Sequence, residues 1–300
     1  MNKFITTLIF LQLLIGTAFA QQQITPLSQF MYNQLVYNPA SAGMHESQVN
    51  LSVLARLQWS TIQGAPTTGL LWGDYRFKSN NMALGVNVGT STYSGYSNTN
   101  FNLNYAYYLT LTKNMKLSMG LRAGFSSLSF STNNFRIWDD NDELVTGSTY
   151  KKTVPVIGAG LQLNAKNFYV GLSLPDLYAG GSNVGDTAGS KQKRNFVLLS
   201  GATIRLGDLY NLKPNLGLFY YPDYGMIAKI NATFEIKDYF WFGLTYSTNK
   251  SYTAMVGTHI SSRIRFGYAF EMTSFDKNIN LNTHELNLAV TLNNLFRKKN

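Results

Sequence analysis

The sequence predicts an all-β fold: a transmembrane antiparallel β-barrel of about 14 strands with an N-terminal periplasmic arm. Three observations support this prediction. Short segments of alternating polar and apolar residues follow one another along most of the chain. Charged residues make up 13% of the chain and aromatic residues 14%, whereas about a quarter of a soluble domain is charged. Finally, the charges within the segments keep to one side of the alternation.

The alternation is clear around residue 100, where Asn100, Asn102 and Asn104 are separated by Phe101 and Leu103. A period of two residues indicates strands. A tilted strand of about ten residues crosses a bilayer core. We expect strands near 49–59, 67–77, 82–92, 97–109, 115–127, 153–163, 167–174, 195–206, 212–221, 227–236, 239–247, 253–260, 263–273 and 283–293.

The strand charges define the predicted lumen. If the apolar residues face lipid, every strand charge faces inward, because a charge on the lipid face costs about 2–4 kcal/mol at the membrane centre. A soluble β-sandwich also tolerates charges on one face, but it needs neither aromatic girdles nor an alternation of long and short links. The predicted lumen charges are Arg56, Asp74, Arg76, Lys116, Arg122, Arg205, Lys229, Glu235, Arg263, Arg265, Glu271 and Glu285. Their mixed signs suit an aqueous pore or a paired polar plug, and the sequence leaves both open.

The segments outside the strands give the domain organisation. Residues 1–20 are predicted to be a signal peptide, with Lys3 before an apolar run and Ala18 and Ala20 at the cleavage site. Residues 21–48 form the arm, which Pro26 and Pro39 should make irregular. The barrel is expected over 49–296 and a basic tail over 297–300.

Link lengths indicate an orientation. Long links over 127–153 and 175–194 contrast with short turns such as 78–80. We expect longer links after strands 1, 3, 5, 7, 11 and 13. Outer-membrane barrels have short periplasmic turns and longer external loops, so both termini are predicted to be periplasmic.

The sequence offers little chemistry for catalysis. It contains no cysteine, which excludes disulfides and thiolate metal ligands. The three histidines, His45, His259 and His284, share no metal-ligand spacing. The acidic run 138–143 lacks the spacing of an EF-hand, although calcium binding there stays open, and the glycines of 180–189 fit a flexible loop better than a phosphate loop. We therefore predict no enzymatic activity, no metal and no cofactor.

The net charge of +10 could suit nucleic acid. The basic residues are, however, spread over strands, turns and loops. We predict no nucleic-acid partner.

The arm and the first hairpin carry the most specific motifs. Together with two later segments they resemble the PorP/SprF family of type IX secretion and gliding membrane proteins. The matching segments are Gln29-Phe30-Met31-Tyr32-Asn33, Tyr37-Asn38-Pro39-Ala40 with Gly43, Arg56-Leu57-Gln58-Trp59, Gly64-Ala65-Pro66-Thr67, Tyr169-Val170-Gly171-Leu172-Ser173-Leu174-Pro175 and Thr283-His284-Glu285-Leu286.

The resemblance implies a non-enzymatic outer-membrane component of the type IX machinery of Bacteroidota. Such a protein supports the export or surface attachment of specific, large, adhesin-like cargo through protein contacts. Its implied partners are outer-membrane lipid and type IX secretion components, the cargo protein, or both. The implied partner-binding or plug residues are Phe30, Tyr32, Tyr37, Asn38, Pro39, Ala40 and Gly43; the hairpin motif comprises Arg56, Gln58, Trp59, Gly64, Ala65 and Pro66.

A second function stays possible, that of a porin or a hydrophobic-ligand channel. Fourteen strands leave a lumen that could be open or filled by the arm. Single-channel conductance would separate the two functions.

Overall fold

A computed structural model describes residues 26–44, 48–77, 81–131, 149–179, 194–222, 224–237, 239–276 and 279–293. The predicted signal peptide, His45, the turn 78–80, the acidic run 138–143, the glycine-rich segment 180–189 and the basic tail lie outside these residues.

Fourteen antiparallel strands form the barrel, as the sequence predicts. They are β1 Gln48–Leu57, β2 Thr67–Arg76, β3 Met82–Tyr93, β4 Tyr96–Thr112, β5 Met115–Ser131, β6 Thr149–Ala165, β7 Phe168–Ala179, β8 Phe196–Ala202 with its continuation Ile204–Arg205, β9 Tyr210–Tyr221, β10 Gly225–Ile236, β11 Phe240–Ser247, β12 Ser251–Ser261, β13 Ile264–Asp276 and β14 Ile279–Asn293.

Each strand pairs with its neighbours in the chain, and β14 pairs with β1 to close the barrel. The interruption of β8 at Thr203 does not shift its register, because Gly201 pairs with Asn215 and Arg205 with Asn211. Closure leaves no strand edge unpaired, which a β-structure in a bilayer requires. Among the residues given above, no helix combines the length and apolarity needed to cross a membrane.

The alternation of side chains separates the two faces of the wall. On β4, Asn102 and Asn104 are buried in the lumen, while Leu103 on the outer face is 56% exposed. A slip of one residue would reverse this arrangement along the whole strand. The buried polar face and the exposed apolar face therefore fix the register of each strand.

The predicted alternation of link lengths is only partly correct. The longer link expected between β3 and β4 is wrong: Ser94 and Gly95 form a two-residue turn with φ of 36° and 81°. Two positive φ angles match the twist of the flanking strands, so the strands continue to the turn. The links predicted to be longer between β11 and β12 and between β13 and β14 are also short, over 248–250 and 277–278. The long links at this end are therefore 58–66, 132–148 and 180–195.

The exposed apolar face of the wall predicts that an added charge there destabilises the barrel. Leu244 lies in the middle of β11, on the outer wall, and is 66% exposed. We expect Leu244→Arg to destabilise the folded barrel in lipid vesicles by about 2–4 kcal/mol, since the arginine would enter hydrocarbon. The fraction of folded, heat-modifiable protein on a gel measures this. Leu244→Met is the matched control; equal folding of both variants would show that this face is not in lipid.

Candidate functional site: the arm inside the barrel

The arm lies inside the barrel. Residues 26–43, here called the plug, are buried almost throughout, with Phe30 and Ala40 fully enclosed. The plug contains three short helical segments: a 3-10 turn Phe30–Tyr32, an α-helical turn Gln34–Tyr37 and a 3-10 turn Pro39–Ser41. The structure thus shows a compact element where the sequence predicts an irregular arm.

Aromatic side chains hold one side of the plug against the wall. Phe30 and Tyr37 both pack on Phe219 of β9, with ring centroids 6.0 and 5.1 Å apart. Tyr32 packs on Trp241 of β11 at 5.0 Å. Such ring pairs contribute about 0.5–1.5 kcal/mol each beyond the area that they bury. These aromatics place the first half of the plug against β9–β11.

The opposite side of the plug meets smaller side chains. Leu35 and Ala42 pack with Ala83, Ala106 and Tyr108 of β3 and β4. The Tyr108 hydroxyl also donates to the Ala42 carbonyl over 2.5 Å.

Four charged residues of the wall surround the start of the plug. This clamp consists of Arg56, Lys229, Glu271 and Glu285, all buried. Arg56 pairs with Glu285 at 3.0 Å and with Glu271 at 3.2 Å, and Lys229 pairs with Glu271 at 3.2 Å. Two cations and two carboxylates balance, so the clamp buries no net charge.

The clamp binds the main chain of the plug. The Glu285 carboxylate accepts the backbone N–H groups of Ser28 and Gln29, each over 2.8 Å. The Lys229 ammonium donates to the Pro26 carbonyl over 2.8 Å. A buried ion pair is tolerated when further hydrogen bonds satisfy its members, and the plug backbone supplies them here.

Arg122 of β5 performs a similar task for the helical turn of the plug. Its Nη2 and Nη1 groups donate to the carbonyls of Leu35 at 2.6 Å and Val36 at 3.0 Å, and its Nε donates to Asn104 at 2.8 Å. The last carbonyls of a helix lack partners within the helix. A guanidinium fork satisfies two of them at once.

The Asn38–Pro39 step starts the last turn of the plug rather than breaking it. Asn38 Oδ1 accepts the Ala40 N–H over 2.9 Å, as an N-terminal cap does. Pro39 follows at a position that needs no N–H donor. The Ser118 hydroxyl of β5 then donates to the Ala40 carbonyl at 2.6 Å.

The plug leaves the lumen at Gly43, at the end of the barrel where β1 begins. The Asp74 carboxylate accepts the Gly43 N–H at 3.0 Å and the Asn50 amide at 2.7 Å. Gly43 has φ of 70°, and a Cβ there would lie 2.7 Å from the Arg76 Cβ. Only glycine fits both the angle and the space.

Inward-facing glycines of the wall make room for the plug. A Cβ at Gly120 would overlap the Ala40 backbone, and one at Gly160 would overlap the Asn38 side chain. The wall also lies near the plug at four further glycines, where an added Cβ would lie within 3.2 Å of a plug atom: Gly85, Gly171, Gly217 and Gly267. The lumen is therefore shaped to this segment and is not an open pore containing a loose tail.

The hairpin motif lies mostly outside the plug seat. Gln58 donates its N–H to the Pro66 carbonyl at 2.9 Å, which closes the link from β1 to β2. Trp59, with φ of 52°, donates its N–H to Thr283 Oγ1 at 3.2 Å.

The second half of the motif is held by backbone hydrogen bonds. The Gly64 carbonyl, at a residue with φ of 76°, accepts the Ser94 N–H at 3.1 Å, and Ala65 donates its N–H to the Ile62 carbonyl at 3.2 Å. Arg56 of this motif belongs to the clamp, whereas the bonds above hold the link between β1 and β2 in place.

The remaining predicted lumen charges lie nearer the end where β1 begins. Glu235 pairs with Lys213 at 2.6 Å and lies 3.7 Å from His259. The Arg265 guanidinium stacks over the Tyr32 ring at 3.9 Å, and Arg263 is exposed. No group of three or more potential metal ligands occurs within the described ranges.

Several contributors to the seat are absent from the sequence-based set of site residues. Ser28 donates its hydroxyl to Glu271 at 2.7 Å and accepts from Arg56 at 2.8 Å. Tyr108 and Ser118 face inward by strand alternation, which is the signal that could have identified them. Nothing in the sequence around Ser28 identifies it as a site residue. Its partners Glu271 and Glu285 lie more than two hundred residues away, and Arg56 lies 28 residues away.

The comparisons with known proteins agree with this architecture. A family model described as "Type IX secretion system membrane protein PorP/SprF" matches residues 19–290. The chain belongs to this family. Membership makes it a component of the type IX secretion apparatus in the outer membrane, and family and fold together indicate a secretion barrel rather than an enzyme. No curated protein matches the chain.

Solved structures share the fold. The chain is similar to the CymD monoaromatic hydrocarbon channel, with 13% identity, a TM-score of 0.52, and coverage of 87% of this chain and 92% of that one. It is also similar to a TodX monoaromatic hydrocarbon channel mutant, deltaS2S3, with 10% identity, a TM-score of 0.51, and coverage of 86% and 92%. At these identities the likeness concerns the barrel fold alone.

The close approach at Gly120 predicts how the plug can be displaced. We expect Gly120→Val to push Ala40 off the wall, since overpacking costs about 1–3 kcal/mol. A single cysteine at Ala42 in this cysteine-free chain should then react with a water-soluble maleimide about tenfold faster, the factor that corresponds to about 1.4 kcal/mol.

The control is Ala123→Val, on the outer face of the same strand. It should leave the labelling rate unchanged. Unchanged labelling in Gly120→Val, in protein shown by gel shift to be folded, would contradict the observed seat.

Proposed function

We propose that this barrel supports the export or surface attachment of a specific, large, adhesin-like protein through protein contacts, and that it does not conduct solutes. The observation that carries the proposal is the plug: the chain fills its own lumen with a segment held by wall groups from many strands. A barrel closed in this way offers its ends and links as rigid docking surfaces.

The energetics of the plug disfavour spontaneous opening. Glu285, Lys229, Arg122 and Asp74 each make charge-assisted hydrogen bonds to the plug backbone, and such bonds contribute about 1.5–3 kcal/mol each. Removing the plug would also leave the clamp without its backbone partners. A solute channel that had to break these contacts at every opening would be closed nearly all the time.

We further propose that the end where β1 begins and β14 ends faces the periplasm. The three long links, 58–66, 132–148 and 180–195, lie at the opposite end, and long links are external in outer-membrane barrels. The plug would then leave the lumen on the periplasmic side, at Gly43. Its exit and the neighbouring turns would be available to periplasmic components of the machinery.

Single cysteines test this orientation. Gln63 lies in the link between β1 and β2, and Asn114 in the turn between β4 and β5; both are exposed. We expect a membrane-impermeant maleimide to label Gln63→Cys but not Asn114→Cys on intact cells, because only the first would be outside. Both should be labelled after lysis, and the reverse pattern on intact cells would invert the proposed topology.

Deletion of residues 24–43 tests the role of the plug. We expect the barrel to insert, because the strand pairing does not involve this segment, while export or surface display of the cargo is lost. Cargo is measured by proteomics of the cell surface, and insertion by heat-modifiability on a gel. Gly120→Val, which should loosen the plug without removing its residues, is the graded companion variant.

Conductance of the same deletion in planar bilayers separates the competing function. If the deletion opens a conducting pore while cargo display stays normal, the plug serves only to close a channel, and the docking role is refuted.

A further inference from the structure

The plug leaves a cavity of about 250 Å³ beside it, at the end of the barrel where β1 begins. Tyr32 and Gln34 of the plug form one side of the cavity, and Asn50, His259, Arg263 and Arg265 of the wall form the other. Its lining combines polar side chains with apolar ones such as Met31 and Ile264. None of the contacts that seat the plug in the clamp involves it.

Arg265 is the central group of this cavity. Its guanidinium carbon lies over the Tyr32 ring, 3.9 Å from the ring centroid, and within the described ranges no side chain or carbonyl receives a hydrogen bond from it. A guanidinium carries five N–H donors in a fixed plane. Arg265 lines the cavity, so these donors are available to a ligand there.

The surrounding charges leave a positive surplus. Glu235 is already compensated by Lys213 at 2.6 Å. Among the described residues, Asp74 is the one carboxylate that lines the cavity, and it accepts the Gly43 N–H and the Asn50 amide. Against this one carboxylate stand Arg263 and Arg265, which leaves a single positive charge. His259 Nε2 is buried, makes no hydrogen bond and lies 3.7 Å from Glu235.

We propose that this cavity binds a single carboxylate of a peptide, either the C-terminus or an acidic side chain of a protein partner. A guanidinium edge matches a carboxylate in a planar, two-bond arrangement. One surplus positive charge suits a monoanion, and the apolar lining residues offer contacts to the adjoining residue of the peptide. The assignment of the ligand to a periplasmic protein rests on the orientation under Proposed function, whereas binding itself does not.

The test uses the purified, full-length folded barrel in detergent. The probes are N-acetyl-trialanine with a free carboxylate and the same peptide as its C-terminal amide, titrated by calorimetry. We expect the acid to bind and the amide to bind at least about tenfold more weakly, since it lacks the charge. Arg265→Gln should weaken binding of the acid by about tenfold or more, and Arg265→Lys should restore only part of it, because the ammonium cannot form two parallel bonds.

Arg205→Gln is the matched control. Arg205 is an exposed arginine near the same end, outside the cavity, so its loss should leave binding unchanged. Three results would overturn the proposal. The acid and the amide could bind equally well, Arg205→Gln and Arg265→Gln could weaken binding of the acid equally, or inorganic phosphate could bind more tightly than the peptide acid. If Arg265→Gln does not show the gel shift of folded protein, Arg263→Gln decides by the same criteria. Loss of cargo display has no part in this readout, so the two proposals can fail separately.

Discussion

The structure depends on one constraint: an irregular backbone at membrane depth must find all of its hydrogen-bond partners inside the protein. The strands meet this constraint by closing the barrel, and the plug meets it by taking partners from the wall. Glu285 and Asp74 accept plug N–H groups, while Arg122 and Lys229 donate to plug carbonyls. Most of the buried charged residues in the lumen therefore either bond to the plug backbone or balance a residue that does.

The choice of charged groups over neutral ones follows from the same constraint. In a low-dielectric lumen a charged partner makes a stronger hydrogen bond than an amide, but its charge must be cancelled nearby. Arg56 and Lys229 cancel Glu271 and Glu285, so the clamp is neutral as a whole. The plug therefore gains strong bonds to its main chain without carrying a charged side chain of its own into the lumen.

Strand alternation was enough to predict the class of fold, the number of strands and the inward direction of residues such as Arg122. It was not enough to locate the arm. The partners of Ser28 are Arg56, Glu271 and Glu285, and their convergence depends on barrel closure between the first strand and the last. The space at Gly120 and Gly160 is equally invisible in sequence, because a glycine in a strand has several possible causes. Ser94-Gly95 shows a local failure: turn chemistry extended β3 and β4 where the prediction placed a longer link.

The position of Glu285 on β14 has a consequence for how the molecule is assembled. The Glu285 carboxylate, which accepts the N–H groups of Ser28 and Gln29, lies on β14, the last of the fourteen barrel strands along the chain. The two N–H groups lie before the first strand. Until that strand arrives, Arg56 lacks one of its two counter-charges and the plug lacks one wall of its seat. Pairing of β14 with β1 therefore closes the barrel and also brings Glu285 to Arg56 and to the plug. Without the plug in place, the same closure would bury the Glu285 carboxylate beside Arg56 but without its two N–H donors, so closure around the N-terminal segment is favoured over closure around an empty lumen.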